Sequence, residues 1–119
     1  MVEPRRLSHE QMRILRTAAQ LQELVAISAI TLLELARLAT APRSRLKPGP
    51  DEIFRRLEES STHRVLPLTV DIAREVMALQ SVLRDPVDSV IVATARVHGL
   101  RLLTSNQRIL DSRLVSTID

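Results

Sequence analysis

The sequence predicts an α/β domain of three layers, with helices on both faces of a parallel sheet. Short aliphatic and β-branched runs, Val25-Ala26-Ile27-Ser28, Arg64 to Leu68, Arg101 to Thr104 and Leu114 to Ile118, alternate with longer segments of helical period. The chain has 119 residues, of which 45% are hydrophobic, enough for one domain with an aliphatic core. No Cys is present, so disulfides, thiolate-bound zinc, iron–sulfur clusters and thiolate catalysis are excluded.

The first helix is expected from about Ser8 to Leu24, opened by Ser8-His9-Glu10-Gln11 in the Ser-x-x-Gln form of a capping box. After the strand at Val25, a second helix runs from Ile30 to Thr40, almost wholly apolar apart from Thr31, Glu34 and Arg37 along one side. Ala41 to Pro50 holds three prolines and a glycine and reads as a loop. A short amphipathic helix follows over Asp51 to Ser60, then the strand ending near Leu68. Thr69 caps a helix that ends near Ser81 or Leu83. In Asp85-Pro86-Val87-Asp88 the cap, the proline of the first helical position and a first-turn acid stand together. The helix they open is apolar on nearly all sides and stops at Gly99. Asn106 to Asp111 is expected as a helical turn.

No run approaches the ~18 apolar residues of a membrane span, and no apolar segment of a signal peptide follows Met1. A soluble, cytoplasmic protein with no membrane partner is expected. Net charge is +3, and all but one of the 17 basic residues are Arg. Genomic codon bias explains that preference as well as phosphate binding does. Arg37, Arg43, Arg45 and Lys47 nonetheless form a basic stretch without an acid among them, able to hold a polyanion or simply to be solvated. A single Phe, with no Trp or Tyr, argues against base-stacking platforms, so any nucleic acid would be held by its phosphates. His9, His63 and His98 are scattered and read as surface residues.

In parallel sheets, ligands gather beyond the carboxyl ends of the strands. That rule selects Glu34, Asp88 and Asn106, with Ser28 and Thr31 nearby. Each has a structural explanation of its own: an exposed pair with Arg37 for Glu34, the helix dipole for Asp88, a helix cap for Asn106 and for Asp85. Taken together at one sheet edge, their oxygens suit a hard divalent cation such as Mg²⁺.

The blocks Val25 to Leu35, Val65 to Thr69, Arg84 to Ala95 and Leu102 to Asn106, in that order and spacing, resemble a PIN-domain protein of the VapC type, the ribonuclease toxins of bacterial toxin–antitoxin pairs. The likeness runs from about Leu7 to the C-terminus. It implies a three-layer α/β/α fold and hydrolysis of RNA by Mg²⁺- or Mn²⁺-activated water. Glu34 and Asp88 then match catalytic acids, and Asn106 stands where a fourth acid normally does. Ser28, Thr31, Asp85, Thr104 and Ser105 would orient the metal ligands, and Arg37, Arg43, Arg45 and Lys47 would hold RNA. A cognate antitoxin and a homodimer are implied as partners.

The family's first strand ends in a further catalytic Asp. Here Glu3 has no apolar run before it and is followed by Pro4 and two Arg, so that strand and its acid are expected to be missing. A truncated nuclease and a non-catalytic, degenerate PIN-like module for protein or RNA binding are the two resulting readings. An unrelated α/β domain without a metal site is a third.

Overall fold

Leu102 and Leu103 are neighbours in sequence and belong to different cores. Successive strand residues point to opposite faces of a sheet, and this pair shows which elements cover each face. In the computed structural model, which describes residues 1–3, 9–40 and 50–118, Leu102 packs with Ile72, Leu79, Leu83, Ile91, Val92 and Ile109. Leu103 packs instead with Val2 and Ile27, against which Ile14 and Leu57 rest. The result is the expected α/β/α sandwich.

The elements are α1 (His9–Gln20), β1 (Val25–Ser28), α2 (Ala29–Thr40), α3 (Pro50–Glu59), β2 (His63–Leu66), α4 (Val70–Leu79), α5 (Pro86–Val97), β3 (Leu102–Leu103), α6 (Gln107–Ser112) and β4 (Thr117–Ile118). β1 pairs with β2 in parallel, Val25 opposite His63 and Ser28 opposite Leu66. β3 pairs with β4 in parallel, Leu102 opposite Thr117.

Between the two pairs lies Met1 to Glu3. Val2 donates to the Ala26 carbonyl at 2.9 Å, Leu103 donates to the Met1 carbonyl at 2.8 Å, and Glu3 donates to the Leu103 carbonyl at 2.9 Å. Val2 thus forms a parallel bridge to Leu103, and the order across the sheet is β2, β1, the opening residues, β3, β4. This overturns the expectation that Glu3 cannot stand at a strand end. What puts Glu3 there is the gap between Ala26 and Leu103, which supplies a hydrogen-bonding partner on each side of Val2, and not an apolar run in its own sequence.

Helix ends follow local chemistry. The Thr69 hydroxyl accepts from the Ile72 amide, and the Asp85 carboxylate accepts from the Asp88 amide at 2.9 Å, as N-caps do. α5 closes with Gly99 at φ +62°. Leu100 there donates back to Ala95 and Gly99 to Arg96, the paired bonds of a Schellman motif.

Several elements are shorter than the sequence predicts, and for three of them the cause is visible. α1 stops at Gln20 because Gln22 turns left-handed at φ 55° and Glu23 donates back to Ala18 at 2.9 Å. β2 ends at Leu66 because Pro67 has no N–H to continue a ladder. β4 begins only at Thr117, since the Leu114 carbonyl is taken by the Arg96 guanidinium. Ser8, the proposed cap of α1, and the basic residues Arg43, Arg45 and Lys47 lie outside the described residues. His63 and His98 are exposed, as expected. Among the described residues, no helix is long and apolar enough to cross a membrane.

Candidate active site

Two fully buried carboxylates, Glu3 and Asp88, stand at the carboxyl end of the sheet, each 0% exposed. A buried charge is costly unless hydrogen bonds or opposite charges accompany it, and both acids are so provided. The buried Thr104 hydroxyl, one residue beyond β3, donates to Glu3 Oε2 at 3.1 Å. The same hydroxyl accepts from the Asn106 amide at 3.0 Å. Asn106 Nδ2 then donates to Asp88 Oδ1 at 3.0 Å. Glu3 is thereby linked to Asp88 through Thr104 and Asn106, from residues 101 positions apart at one step.

Each member is placed by its element. Glu3 follows Val2 out of the sheet centre. Asp88 is in the first turn of α5, where the positive helix end favours a carboxylate. Asn106 caps α6, its Oδ1 accepting from the Arg108 amide at 3.0 Å. Both ends of that amide are therefore assigned by their partners. The oxygen that the sequence reading offered to a metal caps a helix, and the nitrogen faces Asp88. Arg108 approaches from solvent, its Nε 3.0 Å from Asp88 Oδ2.

The remaining expected residues are distributed around this chain of bonds. Asp85 acts through the cap it makes to Asp88. Ser28 is buried and accepts from the Ile30 amide at 3.3 Å, capping α2. Thr31, in the first turn of α2, is buried with no hydrogen-bond partner for its hydroxyl among the described residues. Glu34 lies one helical turn further along the same face, half-buried, and its Oε1 is 3.0 Å from the exposed Arg37 guanidinium. That pair is the i,i+3 contact of the structural reading, and it engages Arg37, which the sequence had offered to RNA. Ser105 is partly buried between Thr104 and Asn106.

Glu3 was the residue missed. The signal available was slight: an apolar Val2 directly before an acid.

Among the described residues, no three Asp, Glu or His side chains are close enough together to hold a metal ion by themselves. Mg²⁺ asks less than that. It commonly takes one or two carboxylates, several waters and the substrate's phosphate oxygens. Two buried carboxylates and an unpartnered buried hydroxyl are oxygen donors of that kind, and the residues present fit such an ion.

The PIN domain family model matches residues 2–113. The chain belongs to the PIN domain family. Among curated PIN-type relatives, Ribonuclease VapC22 of Mycobacterium tuberculosis is 34% identical over 113 residues, covering 93% of this chain and 82% of that protein. Among solved structures, FitAcB from Neisseria gonorrhoeae superposes with a TM-score of 0.68 at 22% identity, over 100% of this chain and 97% of that one. VapBC2 from Rickettsia felis, bound to a DNA fragment from its promoter, gives 0.65 at 16% identity, over 90% of this chain and 82% of that one. The structural likenesses establish the PIN fold. The match from residue 2 includes Val2 and Glu3, which the fold places at the sheet centre.

Proposed function

We propose that the chain is a VapC-like endoribonuclease that hydrolyses RNA phosphodiester bonds with a divalent metal. The observation that carries this reading is the linked pair of buried carboxylates, Glu3 and Asp88, at the carboxyl end of a PIN sheet. The relationship to Ribonuclease VapC22 supports RNA as the substrate.

Glu3 and Asp88 would hold Mg²⁺ or Mn²⁺ directly, and Glu34 and the Thr31 hydroxyl on α2 would serve the ion only through water. Bound there, the ion supplies a water of lowered pKa and neutralises charge on the phosphate. The protein's own part is to fix the donors before substrate arrives. Thr104 holds Glu3 by one oxygen, and Asn106 holds Asp88 by one oxygen. Asp85 anchors the first turn of α5 that carries Asp88. Glu34, whose Oε1 accepts from Arg37, would offer Oε2 as a proton acceptor. Arg43, Arg45 and Lys47 supply charge for RNA phosphates. A cognate antitoxin, a homodimer and a cytoplasmic setting complete the reading.

The test is cleavage of a mixed RNA substrate by the purified chain with Mn²⁺ or Mg²⁺, with EDTA and Asp88→Asn as controls. Metal-dependent cleavage by the wild type, lost with EDTA and in a folded Asp88→Asn, supports the reading. A folded wild type that neither cuts RNA nor binds metal overturns it in favour of a non-catalytic binding module.

A further inference from the structure

We propose that Arg108 is a resident counter-cation at this site, which a divalent metal must displace from Asp88. The inference rests on the metal reading above and adds a built-in competitor to it. Asp88 is wholly buried, whereas the Arg108 side chain is 64% exposed, yet its Nε reaches Asp88 Oδ2 at 3.0 Å. A cation in the first turn of a helix is opposed by the helix dipole. Arg108 occupies that turn in α6, so its position is not accounted for by helix electrostatics. Its ion pair with Asp88 accounts for it.

Two groups from the start of α6 meet the two oxygens of Asp88: Asn106 Nδ2 donates to Oδ1, and the Arg108 guanidinium forms an ion pair with Oδ2. They differ in how firmly they are held. The Asn106 amide is fixed at both ends, by the Arg108 backbone and by Asp88. The Arg108 side chain is long and mostly exposed, so its end of the pair is screened by solvent and holding it in place costs rotamer freedom. Asn106 is therefore the permanent support of Asp88, and Arg108 the partner that can leave. With Arg108 on Asp88, the buried charge is balanced without metal. Once metal binds Asp88, two cations would share one carboxylate, and the mobile one departs.

The experiment is a Mn²⁺ titration at fixed ionic strength, read by the electron paramagnetic resonance signal of free Mn²⁺. It compares wild type, Arg108→Ala, Arg108→Gln, Arg108→Lys and Arg74→Ala, each checked for folding by far-ultraviolet circular dichroism. Arg74 pairs with Asp71 on α4 and controls for the loss of one exposed positive charge. Both charge-removing changes at position 108 are expected to tighten Mn²⁺ binding about five- to tenfold, the scale of a screened charge repulsion at short range. Arg108→Lys and Arg74→Ala stay near wild type. Arg108→Gln keeps a polar side chain at the position, so the question is still answered if Arg108→Ala does not fold. Mn²⁺ binding by wild type that is unchanged or weaker in Arg108→Gln overturns the counter-cation and leaves the metal site standing. If wild type and Arg108→Gln both show no binding that Asp88→Asn removes, the metal site and the counter-cation fall together.

Discussion

Asn106 holds Asp88 by its amide nitrogen and holds its own helix by its amide oxygen, each at 3.0 Å. One side chain thus orients a buried acid and starts α6. Because the nitrogen can only donate and the oxygen can only accept, exchange of the amide for a carboxylate spares one contact and reverses the other. The cap would persist, since a carboxylate oxygen also accepts. The contact to Asp88 would become two acids facing one another.

Asn106→Asp is therefore expected to destabilise the metal-free chain by about 1–3 kcal/mol, the cost of an unmade hydrogen bond to a buried group. Like charges at hydrogen-bond distance also raise the pKa of one of the pair. A divalent cation would relieve that repulsion, so Mn²⁺ should raise the melting temperature of Asn106→Asp more than that of wild type. Differential scanning calorimetry with and without Mn²⁺ measures both effects. Equal metal-induced shifts in the two proteins would show that position 106 does not face the ion.

How much of this was legible in the sequence depended on whether the cause was local. Asp85-Pro86-Val87-Asp88 read correctly as a helix start because capping needs only residues three apart, and Asp85 does accept from Asp88. Glu34 was found with both its explanations, acid and partner of Arg37, and the structure contains the pair. The sequence argues against Glu3, since no apolar run precedes it and Pro4 and two Arg follow it. Its burial is decided by Ala26 and Leu103, which approach only once the sheet is assembled. The orientation of the Asn106 amide was likewise hidden, since the sequence fixes the residue type and its surroundings fix which end faces Asp88. The early end of β2 and the late start of β4 divide in the same way. Pro67 is visible in the sequence, while the hold of Arg96 on the Leu114 carbonyl is a tertiary contact.

The buried Thr31 hydroxyl lacks a hydrogen-bond partner among the described residues. Thr31→Val removes that unsatisfied group at nearly the same shape, and such a change is close to neutral or stabilising. The metal-free melting temperature should stay level or rise, while Mn²⁺ binding weakens if the hydroxyl serves the ion. A clear fall in the metal-free melting temperature would mean that the hydroxyl has a structural duty.

Gly99 at φ +62° has nothing within 4 Å of where a Cβ would stand. Gly99→Ala meets no clash and is opposed only by the left-handed backbone, at about 1–2 kcal/mol. Chemical denaturation should show that loss with an unchanged m-value. RNA cleavage per folded molecule should not change, because Gly99 closes the end of α5 opposite Asp88. Denaturation indistinguishable from wild type would mean that α5 does not need its left-handed closure.

Hydrogen bonds from Arg55 and then Arg56 hold the Glu52 carboxyl below its ordinary value of 4.5. A carboxylate whose pKa is lowered by folding contributes stability that is present above its unfolded value and lost as pH falls through its folded one. Wild type should therefore exceed Glu52→Gln in melting temperature above pH 4.5, by a small margin because the group is exposed, and the margin should shrink as the pH is lowered further. A margin that grows on acidification would contradict the pairing.

The central claim is that Glu3, held by Thr104 at the sheet centre, completes the catalytic edge with Asp88. Glu3→Gln keeps the size and can still accept the Thr104 hydrogen bond, while it removes the charge. The decisive measurement is the rate of Mn²⁺-dependent RNA cleavage by wild type and Glu3→Gln at matched folded concentrations. If Glu3 is a metal-holding acid, the rate falls by about a hundredfold or more, the scale of losing a group that stabilises transition-state charge, with the fold intact by circular dichroism. A folded Glu3→Gln that cuts RNA as fast as wild type would show that the site does not include Glu3.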